Sequence, residues 1–347
     1  MEEGAGTYNY KGDYAGDTDY EDESCNKEDV QNFGAIVTPI LYTLVIVLSL
    51  IGNLLVLWIL VKYENLKSIT NIFTLNLAVS DLLFTFSLPF WAFTYTYRYG
   101  WVFGGHMCKV IQATFYGGFY SGILFLTMMT IHRYIAVVHP LYDLGSRKSC
   151  YGITATVVIW IISILAVVPV IYFNEVKVEQ SDSNVMTCDY HTHPWKQIGA
   201  YQQNVFFLVA FSVIIYCYFR ILKKLLQSKT HKRYRTVKLI FSIVVVFFFG
   251  WAPFNVVIFL RTLVHFDIQY FTDCTVSKHL DYALYVCRKI AFFHCCLNPV
   301  FYAFMGVKFR NHLKTLLQKC WFYKNTEEQP MTPTRVRFSF HGEGSIY

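Results

Sequence analysis

The run CKVIQATFYGGFYSGILFLTMMTIHR, Cys108 to Arg133, decides how the rest of the chain is read. It carries a cysteine at one end, an arginine flanked by His132 and Tyr134 at the other, and almost no charge between them. At about 1.5 Å per residue, a helix over this run covers roughly 38 Å, a hydrocarbon core plus part of its two interfaces. A bridged cysteine needs an oxidising compartment, and an Arg-Tyr end suits the cytoplasmic side. One helix thus links the two sides of a membrane.

Working outward, the composition agrees. Of 347 residues, 54% are hydrophobic and only 15% charged, with a mean hydropathy of +0.35. A soluble domain carries about a quarter charged residues, so much of this surface must face lipid. The formal charge of +7 is unevenly spread. Residues 1–34 hold ten acids against Lys11 and Lys27, a net of −8, which leaves +15 elsewhere. An acidic head on a basic body calls for partners of opposite sign at the two membrane faces and argues against nucleic acid. Residues 1–34 read as a disordered acidic extracellular tail, too poor in aliphatics to offset the entropy of ordering. Tyr8, Tyr10, Tyr14 and Tyr20 lie among its acids and are sulfation candidates. The first thirty residues show no apolar signal-peptide core, so the first hydrophobic segment is expected to direct insertion.

Seven apolar stretches follow, near 36–61, 70–95, 107–138, 152–173, 200–222, 237–264 and 280–304, within a bundle over 35–305. The connection at 223–238 carries Lys223, Lys224, Lys229, Lys232, Arg233, Arg235 and Lys238 without an acid, and Lys308, Arg310, Lys314 and Lys319 follow the last stretch. By the positive-inside rule the N-terminus is extracellular and the C-terminus cytoplasmic, as befits a multi-pass plasma-membrane protein. Residues 306–323 put Phe309, Leu313, Leu316, Leu317 and Cys320 on one face, which reads as an amphipathic interfacial helix with Cys320 as a lipidation candidate. Residues 324–347 read as a cytoplasmic tail with phosphorylatable Thr and Ser. The fold class is an all-α membrane protein, a seven-transmembrane helix bundle.

Polar groups inside spans are costly and need reasons. Asn53, Asp81 and Asn298 either glue helices together or form a hydrated core that rearranges between two states. Prolines at 89, 169, 253 and 299 break backbone bonds, and Trp251, two residues before Pro253, is a bulky lever at a bend. Outside lie Cys25, Cys108, Cys188 and Cys274, and four cysteines allow three pairings. Cys188, His191 and His193 mimic metal ligands, a reading that fails if Cys188 is bridged. Trp91, Tyr95, Phe115, Tyr116, Tyr120, Tyr201, Tyr282 and Tyr285 line the outer halves, with Lys109, Gln112, Gln202, Arg261, Asp281 and Arg288 among them. An aromatic belt accounts for most of these, but Arg288, ten residues before Asn298, is not expected to face lipid. There is no HExxH, GxSxG or Walker loop and no intramembrane pair of acids, so neither catalysis nor a cofactor is expected.

Asn53, Asp81, Cys108, Arg133-Tyr134, Trp160, Trp251-x-Pro253 and Asn298-Pro299-x-x-Tyr302 together resemble the signature positions of rhodopsin-like G-protein-coupled receptors. SLPFW at 87–91, WVFGGHMC at 101–108, HCCLNPVFYAF at 294–304 and the extra cysteine pair resemble the chemokine-receptor subfamily. NLLVLWILVKYENLKSITNIFTLNL, TIHRYIAVV, RTVKLIFSIVV and GVKFRNHLK are similar to its XC-type (lymphotactin) members. The resemblance implies that Cys108 pairs with Cys188 and Cys25 with Cys274. It implies a small basic chemokine that docks on the acidic tail and its tyrosines and inserts its N-terminus among Trp91, Tyr116, Tyr285, Arg288 and Asp281. Activation would swing the sixth span, reposition Trp251, Tyr218 and Tyr302, and free Arg133-Tyr134 to couple to an inhibitory-type heterotrimeric G protein. Arrestin and receptor kinases would act on the C-terminal tail. Three positions depart from most of the family. His132 stands where an acid is usual, Ala210 where a proline is, and Arg288 where an acid is. A scavenging receptor without G-protein coupling is the rival reading. A seven-span transporter or channel, more distant, would show inverted repeats that are not evident here.

Overall fold

The computed structural model describes residues 28–96, 100–139, 148–178, 185–227, 234–264, 273–305, 309–315 and 318. Tyr8, Tyr10, Tyr14, Tyr20, Cys25 and Cys320 lie outside the described residues, as does 319–347. Among the described residues, six helices are long and apolar enough to cross a membrane. They are α1 (Glu28–Tyr63), α2 (Ile69–Thr96), α3 (Gly104–Val138), α4 (Lys148–Phe173), α5 (His193–Leu226) and α6 (Tyr234–Val264). Between α4 and α5 runs a hairpin, β1 (Asn174–Val178) antiparallel to β2 (Met186–Tyr190), with Val176 opposite Cys188. Two helices follow in close succession, α7 (Cys274–Phe292) and α8 (His294–Met305).

Three expectations are adjusted. Helix α1 starts at Glu28, inside the segment read as tail. Its first turns pack on α7: Phe33 meets Tyr282 at 5.5 Å, and a Cβ on Gly34 would sit 2.7 Å from the Tyr285 ring. That contact is tertiary and leaves no trace in local hydropathy. The outer connection at 174–199 holds the hairpin and the start of α5, because Pro194 suits a first helical turn. The stretch at 280–304 is not one helix but the α7–α8 pair, interrupted at Phe293. There the Phe293 N–H is shared between the Lys289 and Ile290 carbonyls at 3.3 Å each, a tightened turn, and Leu297 N–H returns to Phe293 O at 3.2 Å.

Helix α3 is the central post, its buried residues running from Cys108 to Val137. Gly118 lets it approach α2 so closely that a Cβ there would lie 2.7 Å from both the Ser80 carbonyl and the Phe84 nitrogen. Beside it, the Ser121 hydroxyl donates to Ser80 Oγ at 2.7 Å. Small residues at a helix crossing are how membrane helices pack without a hydrophobic drive between them. Trp160 Nε1 donates to Asn76 Oδ1 at 2.9 Å and adds α4 to the same side. The outer faces of α1, α4 and α5 expose Ile40, Ile51, Ile164, Leu165, Val209 and Phe219, as lipid contact requires.

Neighbouring glycines make a controlled comparison. At Gly117 the nearest atom to an added Cβ is Val167 Cγ2 at 3.9 Å, ordinary contact. Gly118→Ala is expected to destabilise the bundle by about 1–3 kcal/mol, the cost of overpacking, while Gly117→Ala stays near wild type. Thermal unfolding of both variants in detergent checks this, and equal midpoints would refute the close crossing.

Candidate functional site

The end of the bundle read as outer from the sequence is organised by the Cys108–Cys188 disulfide, with Cα atoms 5.6 Å apart, which holds β2 over the start of α3. Cys108 is buried with Trp101 and Ile111, and Trp91 packs on Trp101 at 5.7 Å. Gln112 Nε2 donates to Asn174 Oδ1 at 3.3 Å, fastening β1 to α3. Lys177 donates to the Tyr190 and His191 carbonyls, His191 pairs with Glu175, and Lys196 meets Asp189 at 2.5 Å. The Cys188 sulfur is therefore committed to the disulfide, and His191 faces the Glu175 carboxylate. Tyr190 tucks over Gly199 of α5, where an added Cβ would lie 2.4 Å from its hydroxyl. Burial pushes its phenol above the ordinary tyrosine range, so it stays a neutral hydroxyl.

Beneath the hairpin lies an aromatic wall. Tyr116 stacks on Tyr120 at 6.0 Å, and Gln202 donates to the Ala166 carbonyl at 2.6 Å and to Tyr120 Oη at 3.3 Å. Arg288 places its guanidinium carbon 5.8 Å from the Phe254 ring, within electrostatic reach of Tyr116. Lys289 holds its ammonium 4.5 Å over Tyr285 and 5.7 Å over Tyr42. Asp281 receives Arg261 at 3.0 Å across the outer ends of α6 and α7.

The floor of that wall is Trp251. Its ring lies 4.4 Å from Phe119 and 5.3 Å from His294, and its Nε1 is 3.2 Å from His294 Nδ1. His294 Nε2 lies 3.7 Å from Asp81 Oδ1, and Asn298 Nδ2 donates to Asp81 Oδ2 at 2.8 Å. Asn53 works differently. Proline has no N–H, so Pro299 leaves the Cys295 carbonyl, four residues earlier, without its helical donor. Asn53 Nδ2 supplies one at 2.8 Å and also donates to Ser49 O at 3.0 Å. Toward the other end, Arg133 Nη2 donates to Thr70 Oγ1 at 3.2 Å, and Tyr134 Oη lies 3.1 Å from His139 Nε2. Tyr218 is buried against Phe241, 5.1 Å away, and Tyr302 lies near Phe309.

Against known proteins, residues 52–302 match the family described as "7 transmembrane receptor (rhodopsin family)". The chain is 44% identical to Chemokine XC receptor 1 of Homo sapiens over 315 residues, 91% of each chain. It is 43% identical to the Mus musculus Chemokine XC receptor 1 over 302 residues, covering 87% of this chain and 89% of that one. It is also 42% identical to C-C chemokine receptor type 1 of Homo sapiens over 308 residues, 87% and 85% of the two chains. The chain is a chemokine receptor of the rhodopsin family. As such it is a multi-pass membrane receptor and not an enzyme.

In this receptor, two of the three polar span residues named from sequence, Asp81 and Asn298, meet directly, while Asn53 serves the α8 backbone instead. Trp251 sits above them and Pro253 one half-turn on. The bridge between Trp251 and Asp81 is His294, which the sequence reading passed over although it stands four residues before Asn298. Lys289 was passed over as well, and its signal was plain: a second cation beside Arg288 in a span. Tyr285, Arg288, Tyr116 and Trp91 all belong to the outer half, with Asp281 at its rim. Tyr218 and Tyr302 lie at the inner end, in separate clusters. Cys274 is disulfide-bonded, and its partner lies outside the described residues.

The Pro299–Asn53 relation yields a double-mutant test. Asn53→Ala should cost about 1–3 kcal/mol, the penalty of an unsatisfied buried carbonyl. In a Pro299→Ala background, where the backbone N–H is restored, the same substitution should cost clearly less. Thermal midpoints of the four proteins measure the coupling, and strict additivity would remove the assigned role.

Proposed function

We propose that this chain is an XC-type chemokine receptor that binds a small basic chemokine outside the cell and activates an inhibitory-type heterotrimeric G protein inside, driving calcium signalling and chemotaxis. The observation that carries the reading is the continuous buried path from the outer aromatic wall through Trp251 and His294 to Asp81 and Asn298. A ligand that displaces Tyr116 or Phe119 moves groups packed on that path, so binding outside is felt inside. The ligand must favour the active arrangement by its own differential affinity, since otherwise no population shifts.

In this reading the helices cross the membrane seven times, α7 and α8 forming the seventh span, with the N-terminus outside and the C-terminus in the cytoplasm. The −8 charge of residues 1–34 captures the basic chemokine body through Tyr8, Tyr10, Tyr14, Tyr20 and the acids around them. Its N-terminus then enters among Trp91, Tyr116, Tyr285, Arg288 and Asp281. Cys25 is the partner of Cys274 and closes the N-terminal segment onto α7. Activation swings the inner half of α6, brings Tyr218 and Tyr302 to new positions, and releases Arg133 from Thr70 toward the G protein, with Tyr134 beside it. Residues 306–323 lie in the membrane interface with Cys320 acylated, and 324–347 engage receptor kinases and arrestin. A scavenging receptor is the second reading, favoured by one observation: Arg133 is held by a neutral threonine, with His132 where most of the family has an acid.

The deciding experiment titrates a panel of basic chemokines against the full-length receptor reconstituted with an inhibitory-type G protein. Chemokine-driven nucleotide exchange is expected; capture and uptake without exchange would establish the scavenger instead. Replacing the acids of residues 1–34 by amides should weaken capture by about tenfold or more at low salt and flatten its salt dependence. Unchanged capture would refute docking on the tail.

A further inference from the structure

At the end of the bundle opposite the disulfide, a histidine joins three parts of the chain. Helix α1 ends at Tyr63, and the turn into α2 closes with Ser68 N–H on Asn65 O at 3.2 Å. The helical stretch 309–315 packs on that corner. Phe309, His312 and Leu313, three and four positions apart, share one of its faces, while Asn311, Lys314 and Thr315 are exposed. Phe309 joins the apolar cluster of Val56, Leu60 and Ala78, where Tyr302 also packs, the two rings 6.4 Å apart. His312 stacks on Tyr63 with centroids 5.2 Å apart and planes 19° from parallel, and its Nε2 lies 3.4 Å from Glu64 Oε1. The Glu64 side chain is 10% exposed, and its other oxygen accepts from Asn71 of α2 at 3.4 Å. One imidazole thus touches the last residue of α1 and the carboxylate at the head of the turn.

The strength of that contact depends on a proton. Neutral, the imidazole offers Glu64 a hydrogen bond. Protonated, it sets a full charge opposite the carboxylate and a cation on the Tyr63 ring. Other charges nearby oppose the proton, but from farther off. Lys62 holds its ammonium 5.6 Å from the Tyr63 centroid and 5.2 Å from that of Trp58. Arg310 and Lys314 stand two positions either side of His312, and helix residues two apart do not face each other. Lys67 is exposed in the turn, its N–H on Asn65 Oδ1 at 2.8 Å. Tyr302, behind Phe309, is the remaining titratable group among the described residues here, and Lys308 lies outside them. Coulomb attraction falls with distance, so the carboxylate in contact outweighs these cations.

We propose that His312, Glu64 and Tyr63 form a proton-operated clasp: a proton taken up by His312 tightens 309–315 onto the corner between α1 and α2, and its loss loosens it. Histidine changes charge near neutral pH, so the clasp answers to modest acidification on its side of the membrane. Because Phe309 packs beside Tyr302, tighter docking holds Tyr302 in its resting place and makes activation harder. This last step rests on the function proposed above, in which Tyr302 moves and this end faces the cytoplasm; the clasp itself does not.

The test follows backbone amide exchange of 309–315 by mass spectrometry, on full-length receptor in lipid nanodiscs at about pH 6 and about pH 8, on either side of the ordinary histidine range. Rates are corrected for the intrinsic pH dependence of amide exchange. In the wild type the stretch should exchange about threefold more slowly at the lower pH, the scale of a partly exposed ion pair. His312→Gln keeps a polar side chain that cannot take the charge, and should exchange at the faster rate at both. His312→Arg, charged throughout, should exchange at the slower rate at both. Glu64→Gln should abolish the pH response. Every other histidine is intact in His312→Gln, so any response they cause persists in that variant. Equal corrected rates in the wild type at the two pH values overturn the proposal, as does a pH response that survives in His312→Gln. Chemokine-driven nucleotide exchange on the same preparations supplies the functional arm. Lowering the pH should raise the ligand needed by about threefold more in the wild type than in His312→Gln. Identical shifts in the two overturn the link to Tyr302. If no chemokine drives exchange, the proposed function falls, while the amide measurement, which needs neither ligand nor G protein, still decides the clasp.

Discussion

The carboxyl of Asp81 is 2% exposed, and the bundle closes around its needs. Asn298 donates to it from α8 at 2.8 Å, and His294 approaches to 3.7 Å. One residue earlier on α2, Ser80 takes the Ser121 hydroxyl of α3 beside the Gly118 crossing. Neighbouring residues on α2 thus fasten the helix to α3 on one side and to α8 on the other. Lipid offers no hydrogen bonds, so each polar group carried into the bundle specifies which helices must meet and at what height. Apolar packing alone would leave that register open, because lipid tails satisfy a leucine as well as a neighbouring helix does. Asn53 extends the same logic to α1, since the carbonyl it serves exists as an orphan only because of Pro299.

His294 stands at the one place where these constraints conflict. Its Nδ1 lies 2.7 Å from the Ala291 carbonyl and 3.2 Å from the Trp251 indole nitrogen. A carbonyl accepts and an indole N–H donates, so a single ring nitrogen satisfies one of them and not the other. With the proton on Nδ1, Ala291 is served and the indole loses its acceptor. With the proton on Nε2, the imidazole accepts from Trp251 and turns a donor toward Asp81. A tautomer change or a small ring rotation therefore exchanges a bond to the end of α7 for one to α6. Packed cores respond to small shifts by switching between such alternatives rather than by deforming continuously. The residue that joins the aromatic floor to the polar core thus serves two competing partners through one ring nitrogen.

Much of this was legible in the sequence, and what was not shares a cause. Helix existence came from runs of apolar residues, because a membrane span is a one-dimensional requirement on length and composition. Asp81 and Asn298 stood out for the same reason: a polar group in such a run has to be explained. The hairpin at Asn174–Tyr190 did not stand out, since its pairing is fixed by the Cys108–Cys188 bridge and by Trp101 N–H donating to the Met186 carbonyl at 2.7 Å. The early start of α1 depends on Phe33 and Gly34 meeting α7, and the Phe293 interruption depends on shared carbonyls. His294 stands out only as part of a motif run, not as an ionisable group deep in a span, while Lys289, as visible a cation as Arg288, went unremarked beside it. Both errors came from reading residues along the chain; the structure brings each against a helix remote in sequence.

Arg133 shows where this receptor relaxes a constraint instead of meeting it. Its guanidinium donates to Thr70 at 3.2 Å, and its buried Nε has no hydrogen-bond partner among the described residues. A hydroxyl is a neutral, single acceptor, whereas a carboxylate accepts two parallel bonds and about twice the strength per bond. The contact between α2 and α3 at this end is correspondingly easier to break. In the proposed receptor reading, a shallower resting well asks less of a ligand: about 1.4 kcal/mol less preference for the resting arrangement means a tenfold smaller differential affinity is needed to reverse the populations. The other helices must then supply the discrimination, and the means are in place above, where Trp251 is enclosed by Phe119, Phe247, Phe254 and His294 and any movement of α6 has to repack all of them. Any displacement of α6 is thus resisted mainly in the aromatic floor around Trp251, and less at the Arg133–Thr70 contact.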